Sequence, residues 1–270
     1  MQSFANRTVV VTGASDGIGA EIARQLAPEK PRLVLAARSE AKLHEVAFRC
    51  QKAGADILVV PTDVSEADQC QRMVAQAAEH FGGIDVLINN AGLSMHARLD
   101  ETTDLSTFER LMRVNFLGAM WCTHAALPSL KASRGLIVAM SSLLGKTGMP
   151  GRTAYCASKF AMSGFFESLR LELAGSGVDV TMVFPGIVAT ETRRNGLNGD
   201  GQRAGVSLLD EAGAMSVERC AAEAIAGLRT RRREVVMTTK GRLGLKIKAF
   251  APAYVDRLAL KALARDGGTP

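Results

Sequence analysis

The sequence has no uninterrupted apolar run of the roughly 18 residues that a membrane-spanning helix needs. Its first residues lead directly into a strand-like run, without the apolar region of a secretory signal. Five cysteines form no CxxC pair and no metal-ligand spacing, and free thiols are typical of a reducing compartment. These absences predict a soluble, cytoplasmic protein with no disulfide framework and no metal site.

Aromatic residues are also scarce, at 5% of 270 residues, with one Trp and two Tyr. Nucleic-acid readers depend on base-stacking or groove-reading motifs, and we find none. The net charge is +6, from 33 basic and 27 acidic residues. A mild basic excess suits an enzyme with a polyphosphate ligand, since a positive field concentrates anions. We therefore predict a small-molecule ligand and no nucleic-acid partner.

What the sequence does have is an alternation of apolar, β-rich runs with longer stretches of helical periodicity. The predicted strands are 8–12, 32–37, 57–61, 84–89, 135–140, 178–184 and 234–238, and the predicted helices are 17–27, 40–51, 66–80, 106–127, 153–174 and 217–230. Continuous apolar strands are typical of a parallel sheet that is buried on both faces. The pattern predicts an α/β fold: a single doubly wound Rossmann domain over residues 1–270, with a seven-stranded parallel sheet and helices on both faces.

A glycine-rich turn, TGASDGIG at 12–19, joins the first predicted strand to the first predicted helix. Glycines allow a tight turn and close backbone approach, and the helix N-terminus offers free N–H groups to a pyrophosphate. The alternative is a plain strand-to-helix turn. We predict dinucleotide contacts from Gly13, Ser15, Asp16, Gly17, Ile18 and Gly19.

The end of the second strand reads Ala37-Arg38. Sites for NAD usually carry an acid there, whereas an Arg accommodates the 2′-phosphate of NADP. Asp16 beside the turn argues the other way, and a plain surface charge is the alternative for Arg38. The pattern favours NADP(H), with NAD(H) as the alternative.

Three polar motifs follow successive strands. NNAG at 89–92 ends the fourth, Ser142 follows the fifth, and YCASK at 155–159 lies near the start of the next helix. Tyr155 and Lys159 share a helical face because they are four residues apart. Together with Asn115, PGIVAT at 185–190 and the thirteen-residue step from Ser142 to Tyr155, these motifs resemble the short-chain dehydrogenase/reductase family, in particular its NADP-preferring members in the broad dehydrogenase/reductase group. The resemblance covers residues 7–190, and more loosely the remainder.

The resemblance implies a catalytic set of Asn115, Ser142, Tyr155 and Lys159. Tyr155 would be the general acid or base, and Lys159 would favour the phenolate and bind the nicotinamide ribose. Ser142 would hydrogen-bond the substrate oxygen. Asn115 would anchor a water molecule near Lys159; a buried structural hydrogen bond is the alternative. The same resemblance implies further cofactor contacts from Asp63, Val64, Asn89, Ala91, Gly92, Tyr155, Lys159, Pro185, Gly186, Val188 and Thr190.

Residues adjacent to these motifs are predicted to face the substrate: Leu93, Met95, Leu143, Leu144, Met149, Ile187 and Leu197. This set is apolar and has no Arg or Lys anchor, which predicts a lipophilic carbonyl compound or secondary alcohol. A 3-oxoacyl-thioester (acyl carrier protein) ketoreductase is the rival enzyme. A catalytically silent sensor of dinucleotides is less favoured, because a sensor does not need the catalytic set.

Two further segments carry predictions. The glycine-rich stretch 193–205, within 191–215, is predicted to be a substrate lid. The basic extension 241–270 is predicted to pack across the substrate mouth or a subunit interface, in preference to lying on a membrane, and Pro252 should interrupt its helix. The family implies a homodimer or homotetramer.

Overall fold

The computed structural model describes residues 3–190, 196–205 and 213–265. Within them, seven parallel strands form one sheet: β1 Thr8–Thr12, β2 Arg32–Ala37, β3 Asp56–Pro61, β4 Val86–Asn89, β5 Leu136–Met140, β6 Asp179–Phe184 and β7 Glu234–Val236. Their order is β3-β2-β1-β4-β5-β6-β7. The predicted doubly wound sheet is confirmed, with strand boundaries that differ from the prediction by at most two residues.

The helices are α1 Gly17–Leu26, α2 Glu40–Lys52, α3 Ala67–Phe81, α4 Ser106–Met112, α5 Gly118–Ser133, α6 Thr153–Glu172, α7 Val217–Arg229, α8 Thr239–Phe250 and α9 Pro252–Arg265. Helices α1, α2 and α7 cover one face of the sheet, and α3, α5 and α6 cover the other. Alternate residues of β1 pack into the two hydrophobic cores on opposite faces of the sheet. Val9 and Val11 pack with the first group of helices, and Val10 packs with the second. This double burial explains why the strands are apolar throughout.

The strand order reverses between β1 and β4, and ligands of such sheets bind at this point, outside the carboxyl ends of the strands. Asn90 bridges the gap, because its backbone N–H donates to Thr12 Oγ1 and its side-chain amide donates to the Thr12 carbonyl, at 3.0 and 2.9 Å. Asn90 thereby fixes the chain after β4 to the end of β1 at this point.

The helix predicted at 106–127 differs from the prediction in two respects. The predicted helix 106–127 is divided by a π-helical turn, Arg113–Leu117, and it continues to Ser133 despite Pro128. Insertions of this kind are frequent at functional sites. In the 241–270 segment the helix is interrupted at Ala251, between α8 and α9. The interruption predicted at Pro252 is therefore confirmed.

Candidate functional site

A cavity of about 1400 Å³ opens at the carboxyl edge of the sheet. Ligand pockets for drug-sized molecules usually measure about 300–1,000 Å³, so this one has room for a dinucleotide and a second molecule. One end is lined by the glycine-rich turn and the ends of β2 and β3, and the other by the residues after β5 and the start of α6. The predicted cofactor and substrate residues thus meet in one continuous space.

The glycine-rich turn fits a pyrophosphate. Gly13 and Gly17 have φ values of +66° and +55°, which side chains disfavour. A Cβ on Gly13 would lie 2.9 Å from the Ala91 Cα, and one on Gly19 would lie 2.5 Å from the Gly13 carbonyl oxygen. Gly13, Ser15, Asp16, Gly17 and Ile18 line the cavity, while Gly19 lies behind it and permits the close packing. A cradle without Cβ atoms at the N-terminus of α1 fits the phosphates of a dinucleotide.

Asp16 is the N-cap of α1, where its carboxylate accepts a hydrogen bond from the Gly17 N–H at 2.7 Å. Its other oxygen is 3.4 Å from Lys42 Nζ, on α2. The negative charge of Asp16 disfavours a 2′-phosphate, but Lys42 offsets that charge. Lys42 and the exposed Arg38 both line this end of the cavity, and Arg38 forms no ion pair with any described residue.

Asp63 and Val64 line the cavity next to these residues. The Asp63 carboxylate accepts hydrogen bonds from the Ser65 N–H and hydroxyl, at 3.0 and 2.8 Å. It therefore shapes the turn that leads into α3, as residues near helix starts often do.

The prediction for Asn89 is wrong. Asn89 is buried, its amide donates to Thr123 Oγ1 on α5 at 3.0 Å, and it is not among the cavity-lining residues. The next residue, Asn90, lines the cavity with Ala91 and Gly92. A strand alternates its side chains between faces, so a shift of one residue exchanges a core position for a site position.

The residues of the predicted catalytic set come together at the other end. Tyr155, in the first turn of α6, lines the cavity with Ser142, and Ser142 caps the short turn Leu143–Gly145 by accepting from the Leu144 N–H at 3.2 Å. Lys159 lies one turn after Tyr155, with its Nζ 5.9 Å from the centre of the Tyr155 ring. Ser141 is more deeply buried and contacts Ser163 at 3.3 Å.

Lys159 is only 3% exposed, and its Nζ donates to the Met140 carbonyl at 2.9 Å. No carboxylate among the described residues is within 4 Å of it to form an ion pair. Burial lowers the pKa of Lys159 to about 8, because a low-dielectric surrounding disfavours the ammonium form. A buried cation without an ion-pair partner, beside a phenol in a cleft, is typical of a functional site.

Asn115 lies in the π-helical turn and is fully buried behind Gly92. Its Oδ1 accepts from the Leu93 N–H at 2.7 Å, while its Nδ2 donates to the Leu93 carbonyl and to Ser158 Oγ, at 2.9 and 2.8 Å. The side chain thus fixes the cavity wall after β4 to α6, between Tyr155 and Lys159. These bonds match the structural alternative, and the water-anchoring role stays a prediction.

The loop after β6 completes the cofactor side. Pro185, Gly186, Val188 and Thr190 all line the cavity. A Cβ on Gly186 would lie 2.9 Å from Thr238 Cγ2, so the loop packs closely on the start of α8.

Six of the seven residues predicted to face the substrate line the cavity: Leu93, Leu143, Leu144, Met149, Ile187 and Leu197. Met95 does not, because it is 2% exposed and packs with Leu111, Ala154 and Leu197. The predicted set itself contains no basic residue, but the cavity wall also includes four cations outside that set: Arg110, Arg152, Arg203 and Lys240. Arg152 is buried and donates to Ser94 Oγ and the Met95 carbonyl, whereas Arg110 and Arg203 are exposed at the rim.

The predicted lid, 191–215, lies partly outside the described residues, and its mobility stays a prediction. Of its described parts, 196–205 and 213–215, the first is bound to the segment after β4: the Leu197 N–H donates to the Ser94 carbonyl at 2.8 Å, and the Thr103 N–H donates to the Gly199 carbonyl at 3.0 Å. Leu197 thereby closes one side of the cavity. None of the described helices is long and apolar enough to cross a membrane.

Comparisons with known proteins agree with this geometry. The sequence profile of the short chain dehydrogenase family matches residues 7–199. A dehydrogenase/reductase SDR family protein 7-like from Dictyostelium discoideum is 34% identical over 265 residues, which cover 96% of this chain and 82% of the relative. An 11-beta-hydroxysteroid dehydrogenase A from Sesamum indicum is 40% identical over 203 residues, 75% of this chain and 58% of the relative. The chain thus aligns with a little over half the length of this plant relative.

Among solved structures, an alcohol dehydrogenase from the archaeon Thermococcus sibiricus, complexed with 5-hydroxy-NADP, superposes with a TM-score of 0.72. It is 30% identical, and the match covers 85% of this chain and 94% of the archaeal one. Profile, relatives and fold point to the same conclusion as the cavity. The chain belongs to the short-chain dehydrogenase/reductase family of oxidoreductases.

Proposed function

We propose that the protein is an NADP(H)-preferring oxidoreductase that interconverts a lipophilic carbonyl compound and the corresponding secondary alcohol. The observation that carries the proposal is that Tyr155, Ser142 and the buried Lys159 share one cavity with a glycine cradle shaped for phosphates. A protein that only sensed dinucleotides would not need these three side chains. On the family resemblance, we propose a homodimer or homotetramer as the active form.

The acid–base chemistry belongs to Tyr155. When bound, the nicotinamide supplies the hydride to the carbonyl carbon, or accepts it from the alcohol. In reduction the Tyr155 hydroxyl donates its proton to the carbonyl oxygen, and in oxidation the phenolate takes the proton from the alcohol. The Ser142 hydroxyl donates a hydrogen bond to the same oxygen and stabilises the charge that develops there.

Lys159 supports this proton transfer electrostatically. A buried ammonium near the phenol favours the phenolate form, as an opposite charge lowers the pKa of an acid. Its position is maintained by the Met140 carbonyl at the end of β5. On the side of β4, Gly92 lies next to it, and a Cβ on Gly92 would be 3.8 Å from Lys159 Nζ.

The residues at the end of β2 favour NADP(H) over NAD(H). Ala37 brings no acid that would repel a 2′-phosphate, and Arg38 and Lys42 line the cavity beside it. Ser39 and Ser15 add hydroxyl groups to the same wall. Two cations and hydroxyl donors are suited to a phosphate dianion, and Arg38 has no competing ion pair with a described residue.

The double variant Arg38→Ala/Lys42→Ala is expected to raise the Kd for NADPH by about tenfold or more, because charge-assisted hydrogen bonds to the phosphate are lost. The Kd for NADH should change by less than about threefold. Fluorescence titration of both cofactors measures these values. Lys52→Ala, on the same helix but away from the cavity, is the control. Equal affinity of the wild-type protein for NADH and NADPH would contradict the assignment.

The cavity wall near Tyr155 favours a lipophilic substrate. Leu93, Leu143, Leu144, Met149 and Leu197 form an apolar surface near Tyr155. The name of the Sesamum indicum relative, a hydroxysteroid dehydrogenase, refers to a lipophilic alcohol of this class. A bulky ketone buries its apolar body against such a wall.

A second candidate, reduction of 3-oxoacyl thioesters, is favoured by one observation. Arg110 and Arg203 lie at the rim, on α4 and on the loop 196–205, and the Arg110 guanidinium donates to the Gly201 carbonyl at 3.1 Å. A phosphate-bearing thioester carrier would meet these cations while its acyl chain entered the cavity.

The two candidates are separated by NADPH oxidation assays with bulky hydrophobic ketones and with acetoacetyl coenzyme A. We expect kcat/KM to be higher for the ketones and to change by less than about threefold in Arg110→Ala/Arg203→Ala, because a neutral substrate makes no ion pair at the rim. Turnover of the thioester that falls at least tenfold in this variant would instead establish the second candidate.

A further inference from the structure

The helical hairpin of α8 and α9 leaves an unusual amount of apolar surface uncovered. Eleven large hydrophobic side chains are exposed among the described residues, and five of them lie on this hairpin: Leu243, Phe250, Tyr254, Leu258 and Leu260. Phe250 is 92% exposed at the bend between the helices. Concentrated apolar surface of this kind marks an interaction site.

The same hairpin is strongly basic. Between residues 239 and 261 it carries six cations, Lys240, Arg242, Lys246, Lys248, Arg257 and Lys261, against one acid, Asp256. This excess of five positive charges accounts for most of the net charge of +6 of the whole chain. An apolar face flanked by Lys and Arg is the pattern of helices that lie in the interface of an anionic membrane.

The charge also decides against a second copy of the chain as the occupant. A symmetric dimer contact places the same patch on both sides, so the two basic hairpins would face each other. Like charges in such a contact repel, whereas anionic lipid head groups neutralise them.

We propose that the α8–α9 hairpin docks on anionic lipid surfaces, with Phe250 and its apolar neighbours in the head-group region. The sequence alone favours packing across the mouth or a subunit interface. The exposure of these side chains argues against the first, and their basic surroundings argue against the second. The hairpin also adjoins the cavity: Lys240 lines it, and a Cβ on Gly241 would lie 2.8 Å from Leu143. If the proposed function holds, lipophilic substrates dissolved in the membrane are presented near the mouth.

Vesicle flotation of the full chain tests the proposal. The probes are vesicles of phosphatidylcholine alone, and vesicles with about one third phosphatidylglycerol. We expect binding to the anionic vesicles only, with a loss at high salt, because the charge attraction is screened. Phe250→Ser/Leu258→Ser should abolish binding, while Phe48→Ser/Leu171→Ser, an equally exposed pair elsewhere, should not.

The charge contribution is tested by Lys246→Glu/Lys261→Glu, which should lower the partition coefficient at least tenfold. Lys52→Glu/Lys131→Glu makes the same change in net charge away from the hairpin and should have a smaller effect. Circular dichroism and thermal melts verify that each variant is folded, and light scattering gives the oligomeric state.

Three results would overturn the proposal. The first is a folded wild-type protein that does not float with anionic vesicles. The second is vesicle binding that neither hairpin variant changes. The third is an absence of vesicle binding together with a dimer that Phe250→Ser/Leu258→Ser converts to a monomer. The last result would assign the surface to a second copy. None of these readouts depends on catalytic activity, so failure of the proposed function would be recognised separately.

Discussion

Replacing Tyr155 with Phe is expected to lower kcat by a factor of about 10²–10⁴, the usual contribution of a positioned acid or base. The substitution removes only the hydroxyl, so the ring still fills its place beside Lys159 and the cavity keeps its shape. The Kd for NADPH should change little, since the glycine cradle and the Arg38 end are far along the cavity from Tyr155. Steady-state kinetics with a hydrophobic ketone, together with cofactor titration, separate the two quantities.

The chain provides a natural control, because Tyr155 and Tyr254 are its two tyrosines. Tyr254 is exposed on α9, and Tyr254→Phe should leave kcat in vesicle-free buffer unchanged. A Tyr155→Phe variant that kept more than about a tenth of the wild-type kcat would contradict the role of Tyr155 as proton donor.

Replacing Lys159 with Met is expected to abolish turnover and yet to stabilise the protein without cofactor at neutral pH. Burial lowers the pKa of Lys159 to about 8 in the folded state, against 10.5 for the unperturbed group. The folded protein therefore bears a penalty of about 3 kcal/mol below pH 8, where both states are protonated. The variant also loses the hydrogen bond to the Met140 carbonyl, which costs about 1 kcal/mol. We therefore expect its free energy of unfolding to be about 2 kcal/mol higher than that of the wild type.

The pH dependence gives this prediction its sign. Between about pH 8 and 10.5 the unfolded state binds more protons than the folded state at this position, so wild-type stability should rise with pH across that window. Lys159→Met lacks this contribution, so its gain in free energy of unfolding over the wild type should shrink as the pH rises. Urea unfolding at several pH values measures the difference curve, in which other titrating groups cancel. Lys131→Met makes the same substitution at an exposed lysine and is the control for the change of residue type. A difference curve for Lys159→Met that does not vary with pH would refute the buried-ammonium account.

The sheet could be predicted from the sequence because local and global signals agree. Runs such as Leu33–Ala37 are apolar at every position, which only a strand buried on both faces requires. The glycines at 13, 17 and 19 are needed by the backbone itself, so their spacing reports the turn directly. Helix ends are less well determined, as the continuation of α5 through Pro128 demonstrates.

The errors concern positions that depend on the direction of a single side chain or on contacts distant in sequence. Asn89 and Asn90 are adjacent and chemically identical, and only the pleat of β4 decides that Asn90 faces the cavity. Lys42 lies 26 residues from Asp16, so nothing in the local sequence indicated their ion pair. The π-helical turn at Asn115 has no composition signal, since Arg113–Leu117 reads as ordinary helix.

Adjacency to the motifs cannot identify the cations at the rim. Arg110 and Arg203 are distant from every motif in sequence, and they reach the cavity from α4 and from the loop 196–205. Arg152, three residues before Tyr155, could have been found, because the start of α6 must border the cavity.

Isotope transfer from labelled cofactor tests the central claim most directly. The protein is incubated with NADPH that carries deuterium at both C4 positions and with a hydrophobic ketone, and the alcohol product is analysed by mass spectrometry. The account predicts one deuterium on the carbinol carbon with the wild-type protein, and loss of product formation with Tyr155→Phe. An alcohol product without deuterium, or deuterated product formed equally well by Tyr155→Phe, would contradict it.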